Sequence, residues 1–142
     1  MDVQLLKSET ELPLIAKVLL QLRPQFTISS LIEQIKKQQK MGYQIAYVTS
    51  GENILCVAGF VISEKIAWGK HIYVDDLVTD EKYRSTGAGS LLINWLKAYS
   101  LENGCKQLHL DSGVQRFPAH RFYLREKFEI ASHHFSITDI EQ

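Results

Sequence analysis

The chain has 142 residues, 45% of them hydrophobic, which is enough for one globular domain with a sizeable buried core and leaves little room for a second. Lys plus Arg and Asp plus Glu both total 16. That balance excludes wholesale electrostatic capture by nucleic acid or an anionic membrane, so any anionic ligand has to be held locally.

The first residues, Met1-Asp2-Val3-Gln4, show no basic stretch followed by an apolar run, and no segment approaches the roughly 18 apolar residues of a membrane span. The expectation is a soluble cytoplasmic protein. Cys56 lies inside an apolar run and Cys105 follows a helix, a spacing that fits two reduced structural thiols rather than a disulfide framework or a zinc site.

Residues 3–6 read as a short strand. Ser8-Glu9-Thr10-Glu11 has the spacing of a capping box, Pro13 sits in a first turn, and Leu12, Ile15, Ala16, Leu19 and Leu20 repeat at helical period, predicting a helix over 8–22. Ser30-Leu31-Ile32-Glu33 predicts the start of a second helix, with Ile35 on its apolar face and Gly42 as its stop. Residues 43–49 read as a strand, 50–53 as a turn and 54–62 as a strand buried on both faces. After a polar break around 63–65, a third strand ends in His71-Ile72-Tyr73-Val74-Asp75-Asp76-Leu77-Val78-Thr79, its start blurred by Gly69.

Leu91, Leu92, Trp95, Leu96 and Tyr99 form one stripe over 87–103, the clearest helix in the chain, with Gly104 at its end. Residues 106–111 alternate as a strand, 118–126 form a short helix, and 128–138 are expected to make a final strand pair. This order predicts a mixed α/β sheet flanked by helices: mostly antiparallel, and parallel where the long helix joins strand 72–79 to strand 106–111.

Between strand and long helix lies Arg84-Ser85-Thr86-Gly87-Ala88-Gly89. Unpaired amides and the positive end of the helix dipole meet at such a place. Gly87 and Gly89 let a bulky diphosphate approach those amides, and Arg84 adds a fixed positive charge, so the residues point to a diphosphate-containing cofactor. A dinucleotide fingerprint fails because Leu92 occupies its third glycine and residues 80–86 are too long for its tight turn. A P-loop fails because no Gly-Lys-Ser/Thr follows.

The run from Val78-Thr79-Asp80 through Arg84-Ser85-Thr86-Gly87-Ala88-Gly89-Ser90 to Leu92 resembles the acetyl-CoA signature of the GCN5-related N-acetyltransferases, (Arg/Gln)-x-x-Gly-x-(Gly/Ala) after a strand. The likeness extends over nearly the whole chain, including Ala119-His120-Arg121-Phe122-Tyr123, which is similar to the family's second motif. It implies a single domain over 1–142 with the acyl-CoA N-acyltransferase fold, acetyl-CoA as co-substrate, and an amine of a small molecule or peptide as acceptor. The backbone of Leu77, Val78 and Thr79 would pair with the pantetheine arm as an added strand, and the amides of Arg84, Ser85, Thr86, Gly87, Ala88 and Gly89, with Ser90, would hold the diphosphate. The sheet would splay at this strand. The resemblance also allows a homodimer.

Acetyl transfer by direct attack needs a neutral amine, a polarised thioester carbonyl and a proton for the leaving thiolate. Tyr123 matches the family's second-motif tyrosine and is the first candidate for that proton. Asp75 and Asp76 correspond to a Glu-Asp pair in relatives that acetylate polyamines, which implies an amine-binding carboxylate or a base acting through water. Adjacent strand residues point to opposite faces, so both can face one cleft only if the strand is bulged. His120 has the pKa range of a base, set against an ordinary packing role. His109, His133 and His134 have no ligand-spaced partners, and no metal is expected.

Arg116 stands where many relatives have Asn, and Lys127 where a glycine is common. Acceptor identity is left open by Arg23, Gln25 and Phe26, which form no legible recognition motif. The alternative function is an acyl-CoA-binding sensor without turnover.

Overall fold

The computed structural model describes residues 1–141. These residues form two compact units, one over Met1–Leu110 and one beginning at Asp111.

The first unit is built on a five-stranded sheet in the order β1-β2-β3-β4-β5. The strands are β1 Asp2–Leu5, β2 Tyr43–Ser50, β3 Asn53–Lys65, β4 Gly69–Thr79 and β5 Gln107–Leu110. The first three pairings are antiparallel, and β4 with β5 is parallel. Only that last pair needs a crossover, which the helix α3, Ala88–Glu102, supplies.

The expected polar break at 63–65 does not interrupt the chain: β3 runs on to Lys65 and pairs there with Gly69 at the start of β4. Ladder hydrogen bonds outweigh side-chain polarity where one face is solvent.

The first helical segment is shorter than its apolar period implies. Ser8 caps a 3-10 turn at Glu9–Glu11, and α1 proper covers Leu12–Leu19. The second, α2, spans Ile28–Gln39 and starts earlier than expected, because Thr27 and Ser30 form the reciprocal capping box rather than Ser30 and Glu33. Gly42 follows with φ 101°, a left-handed value suited to glycine just past a helix end.

Alternation along β3 sorts the two layers. Val57 packs with α1, α2, Tyr43, Ile45 and Tyr47 in one cluster. Phe60, on the opposite face, meets the edges of Trp95 and Tyr99 from α3 at 6.3 and 5.8 Å. Trp95 and Tyr99 stack on each other at 4.6 Å, while Leu92, Ile93 and Leu96 bury the rest of that helical face. Fully burying side chains of this size contributes about 1.5–3 kcal/mol each.

The second unit holds α4, Phe117–Arg125, none of whose residues is buried. The helix ends in a Schellman motif, with Phe128 N–H donating to Tyr123 O at 3.0 Å and Lys127 N–H to Leu124 O at 3.1 Å. Lys127 takes φ 74°, so the turn that glycine usually makes is made here by lysine, at a cost of about 1 kcal/mol.

The strand pair expected over 128–138 does not form. Those residues carry no strand, and among the described residues no backbone–backbone hydrogen bond involves residues 129–141. Phe135 and Ile137 are 90% and 76% exposed. The apolar phase also slips across His133-His134, from even positions at Phe128 and Ile130 to odd positions at Phe135 and Ile137, so no single face is apolar throughout.

Candidate functional site

The geometry turns on β4. Its parallel pairing with β5 covers only Ile72↔Leu108 and neighbours, and stops at Val74↔Leu110. From Asp75 to Thr79 the strand keeps β3 on one side, Asp76 opposite Gly59 and Thr79 opposite Cys56, with no strand among the described residues paired on the other. The backbone of Leu77, Val78 and Thr79 therefore lies along an edge that an extended ligand can join as a strand would.

On its other side, toward β3, the strand carries a bulge. Phe60 pairs with Val74 and Gly59 with Asp76, leaving Asp75 as the extra residue. Val74 shares the face of Phe60, whereas Asp76, two residues on, shares the face of Gly59. Without the bulge they would point the same way. The bulge thereby turns Asp76 toward the α1 and α2 layer.

Beyond Thr79 the chain is tied down quickly. Asp80 N–H donates to Leu55 O at 2.8 Å, the Asp80 side chain accepts from Lys82 N–H at 3.0 Å, and Thr86 Oγ1 donates to Tyr83 O at 2.7 Å. Ser85 and Gly87 take φ 64° and 89°, two left-handed residues that fold the segment onto the start of α3. Gly87 caps the helix with no side-chain hydrogen bond, and Ala88 is buried, fixing the first turn against the core. Arg84 is exposed beside this turn. Residues 84–90 thus present first-turn amides, a favourable helix dipole and a cation together, and Gly87 is required by its φ. An extended edge leading into an amide cup fits a ligand with a peptide-like arm and a diphosphate.

On the α1 and α2 side lies a pocket of about 140 Å³ lined by Leu19, Arg23, Gln25, Phe26, Gln34, Gln38, Tyr43 and Asp76, among others. Asp76 is held by both carboxylate oxygens. Arg23 Nε donates to Oδ1 at 2.9 Å, and Tyr43 Oη donates to Oδ2 at 2.7 Å. Arg23 also donates to the backbone O of Asp75 at 3.1 Å. The absent side chain of Gly59 permits this, since a Cβ there would sit 1.6 Å from Tyr43 Oη. Burial, then the charge of Asp76 and the hydrogen bond to it, push the Tyr43 hydroxyl far above its ordinary range, so it stays a donor. Burial and the neighbouring Asp76 raise the Asp75 carboxyl, with Arg23 opposing.

Spacing and composition do not single out Arg23, Tyr43 and Gly59 for this role. Gly59 alone, a glycine inside a long buried strand, carries a sequence signal of close approach.

Tyr123 and His120 belong to the second unit, on α4. Tyr123 meets the rings of Phe122 and Phe128 edge-on at 5.5 and 5.7 Å. His120 Nε2 donates to Gly113 O at 2.7 Å, which ties the ring to the turn before the helix. In the first unit His109 stacks on Trp68 at 3.5 Å, consistent with a packing role. Among the described residues no group of three His, Cys, Asp or Glu side chains could hold a metal ion, and no helix is long and apolar enough to cross a membrane.

Residues 15–128 match the model of the acetyltransferase (GNAT) family. The chain is similar to the uncharacterized N-acetyltransferase YhdJ of Bacillus subtilis (strain 168), 29% identical over 75% of each chain. It is also similar to glucosamine 6-phosphate N-acetyltransferase 1 of Dictyostelium discoideum, 31% identical over 73% of this chain and 68% of the relative. In fold it resembles the aminoglycoside N-acetyltransferase AAC(6')-Iy in complex with CoA, with a TM-score of 0.82 at 14% identity, covering 98% of this chain and 94% of that one. With the family model matching residues 15–128 and curated N-acetyltransferases among its relatives, the chain belongs to the GNAT acetyltransferases and is an acetyl-CoA-dependent N-acyltransferase.

Proposed function

We propose that the protein transfers the acetyl group of acetyl-CoA directly to an amine within a ternary complex, with residues 77–79 and 84–90 binding the cofactor and the Asp76 pocket receiving the acceptor. The observation that carries this reading is the unpaired length of β4 from Asp75 to Thr79 running into the amides at the start of α3. The amine nitrogen attacks the thioester carbonyl carbon, the C–N bond forms, the C–S bond breaks, and the departing thiolate takes up a proton while the amine loses one. Proximity and carbonyl polarisation supply most of the acceleration.

Tyr123 is proposed as the group that protonates or hydrogen-bonds the sulfur. Asp75 is proposed to attract the acceptor's ammonium, with proton release through water, because an ordinary Asp and an ordinary amine differ by about six pKa units and direct abstraction is poorly matched. His120 is assigned to the turn it closes. The family match spans residues from both units, which supports reading 1–142 as one catalytic domain. The free, buried Cys56 and Cys105 support a reducing, cytoplasmic setting. The exposed apolar side chains Ile130, Phe135 and Ile137 support self-association as a homodimer.

Isotope transfer from acetyl-labelled acetyl-CoA, across glucosamine 6-phosphate, aminoglycosides, polyamines, amino acids and peptides with free N-termini, tests the proposal. Labelled acetamide is expected with at least one class. Tight CoA binding with no product from any of them points instead to the acyl-CoA sensor.

A further inference from the structure

We propose that Arg23 is a specificity-determining residue. By pairing with Asp76 it makes the pocket between α1, α2 and β4 electrically neutral, so the pocket takes an uncharged, hydroxyl- or amide-bearing part of the acceptor and disfavours a second ammonium group. The inference rests on the reading of this pocket as the acceptor site.

Asp76 and Arg23 are the two charged side chains in the lining. The other polar groups are the Gln25, Gln34 and Gln38 carboxamides and the Tyr43 hydroxyl, set among Leu19, Phe26, Leu31 and Ile35. An isolated carboxylate in such a place would attract any cationic acceptor, and polyamines above all. Here that carboxylate is engaged at both oxygens, Oδ1 by Arg23 and Oδ2 by Tyr43. An ammonium entering the pocket has to displace a guanidinium that is also anchored to the backbone O of Asp75, or else remain beside it as a like charge.

Although the Arg23 side chain is 40% exposed, its two anchors on β4 distinguish it from a mobile surface pair, and the Asp76 side chain is only 15% exposed. The geometry is held from the opposite side as well, since Tyr43 can reach Asp76 only because residue 59 is glycine. The polar groups that remain suit neutral partners. Gln34 donates to Gln38 Oε1 at 2.9 Å, which leaves a carbonyl oxygen on Gln34 and an amino group on Gln38 for hydroxyls or amides. Asp75, the bulged residue outside this lining, is the carboxylate left for the amine that reacts.

The test uses two probes of matched length, 1,4-diaminobutane and 4-amino-1-butanol, titrated into the full chain with saturating CoA. The side-chain amide resonances of Gln34 and Gln38 provide the readout. Wild type is expected to bind the amino alcohol at least as tightly as the diamine. Arg23→Gln exposes the Asp76 charge and is expected to shift the ratio toward the diamine about fivefold to tenfold, whereas Arg23→Lys retains the wild-type ratio. Asp76→Asn, which leaves Arg23 as the unbalanced charge, is expected to move the ratio the other way, so the inference stays testable if Arg23→Gln does not fold.

A wild-type preference for the diamine, an unchanged ratio in both Arg23→Gln and Asp76→Asn, or no perturbation by either probe in any of the proteins overturns it. The readout is binding rather than turnover. A protein with this selectivity and no acetyl transfer defeats the proposed function alone, and a protein that acetylates amines with an unchanged ratio defeats this inference alone.

Discussion

The segment from Val78 to Ser90 and the pocket around Asp76 begin on the same strand, yet they are built from different materials. The first is backbone: an unpaired strand edge, two left-handed residues and the amides of a helix start, with Ala88 the buried side chain that fixes them. The second is side chains: Asp76 gripped by Arg23 from one helical layer and by Tyr43 from β2, across sequence separations of 53 and 33 residues. In the proposed function the backbone groups would bind what every acetyl-CoA presents alike, whereas side chains can be exchanged without disturbing the strand. The division suits an enzyme with a constant co-substrate and an acceptor that differs between relatives.

The largest expected effect separates the two regions at Gly59. Its substitution by alanine places a Cβ where Tyr43 Oη lies, so the tyrosine must move and Asp76 loses a partner. Gly59→Ala is expected to lower unfolding free energy in urea by about 1–3 kcal/mol while CoA affinity holds within about twofold. Equal loss of CoA binding and stability would show that the two regions are not separable.

Gly87→Val attacks the other region. Gly87 has φ 89° and open space where a Cβ would stand, so the cost is conformational rather than steric crowding by neighbours. A left-handed β-branched residue costs about 1–2 kcal/mol or more, and the CoA dissociation constant measured by calorimetry is expected to rise about tenfold. The Tyr43 to Asp76 hydrogen bond should persist in the variant's spectrum, and its loss would count against local control of the cup.

The smallest effect concerns pH. Burial and Asp76 raise the Asp75 carboxyl in the fold, so the folded state holds that proton to higher pH than the unfolded chain does. The protonated form's contribution to stability is complete below the unfolded pKa of about 3.9 and is lost as pH rises through the raised folded value. Asp75→Asn should therefore be slightly more stable than wild type at neutral pH, with the gap closing in acid. A gap that widens on acidification has the wrong sign for this account.

How much of this is readable from sequence follows the same division. Backbone chemistry leaves traces in composition: the glycines at 87 and 89, and the glycines at 42 and 104 that end helices with φ 101° and 72°. The pattern of elements through β5 is legible for the same reason, apart from caps displaced by a few residues. The bulge at Asp75 leaves no trace, because nothing in Val74-Asp75-Asp76-Leu77 marks which residue is extra. Arg23 cannot be linked to Asp76 without the fold. The strand pair expected over 128–138 fails for a related reason: apolar side chains record which residues could share a face, and backbone–backbone hydrogen bonds for 129–141 are absent among the described residues.

Whether the β4 edge and the start of α3 hold the cofactor is decided by titrating CoA and following the amide resonances. Saturable shifts are expected at Val78, Thr79 and residues 84–90, with the Gln34 and Gln38 side-chain amides little changed. Unmoved resonances at Val78 and residues 84–90 under saturating CoA would contradict that role.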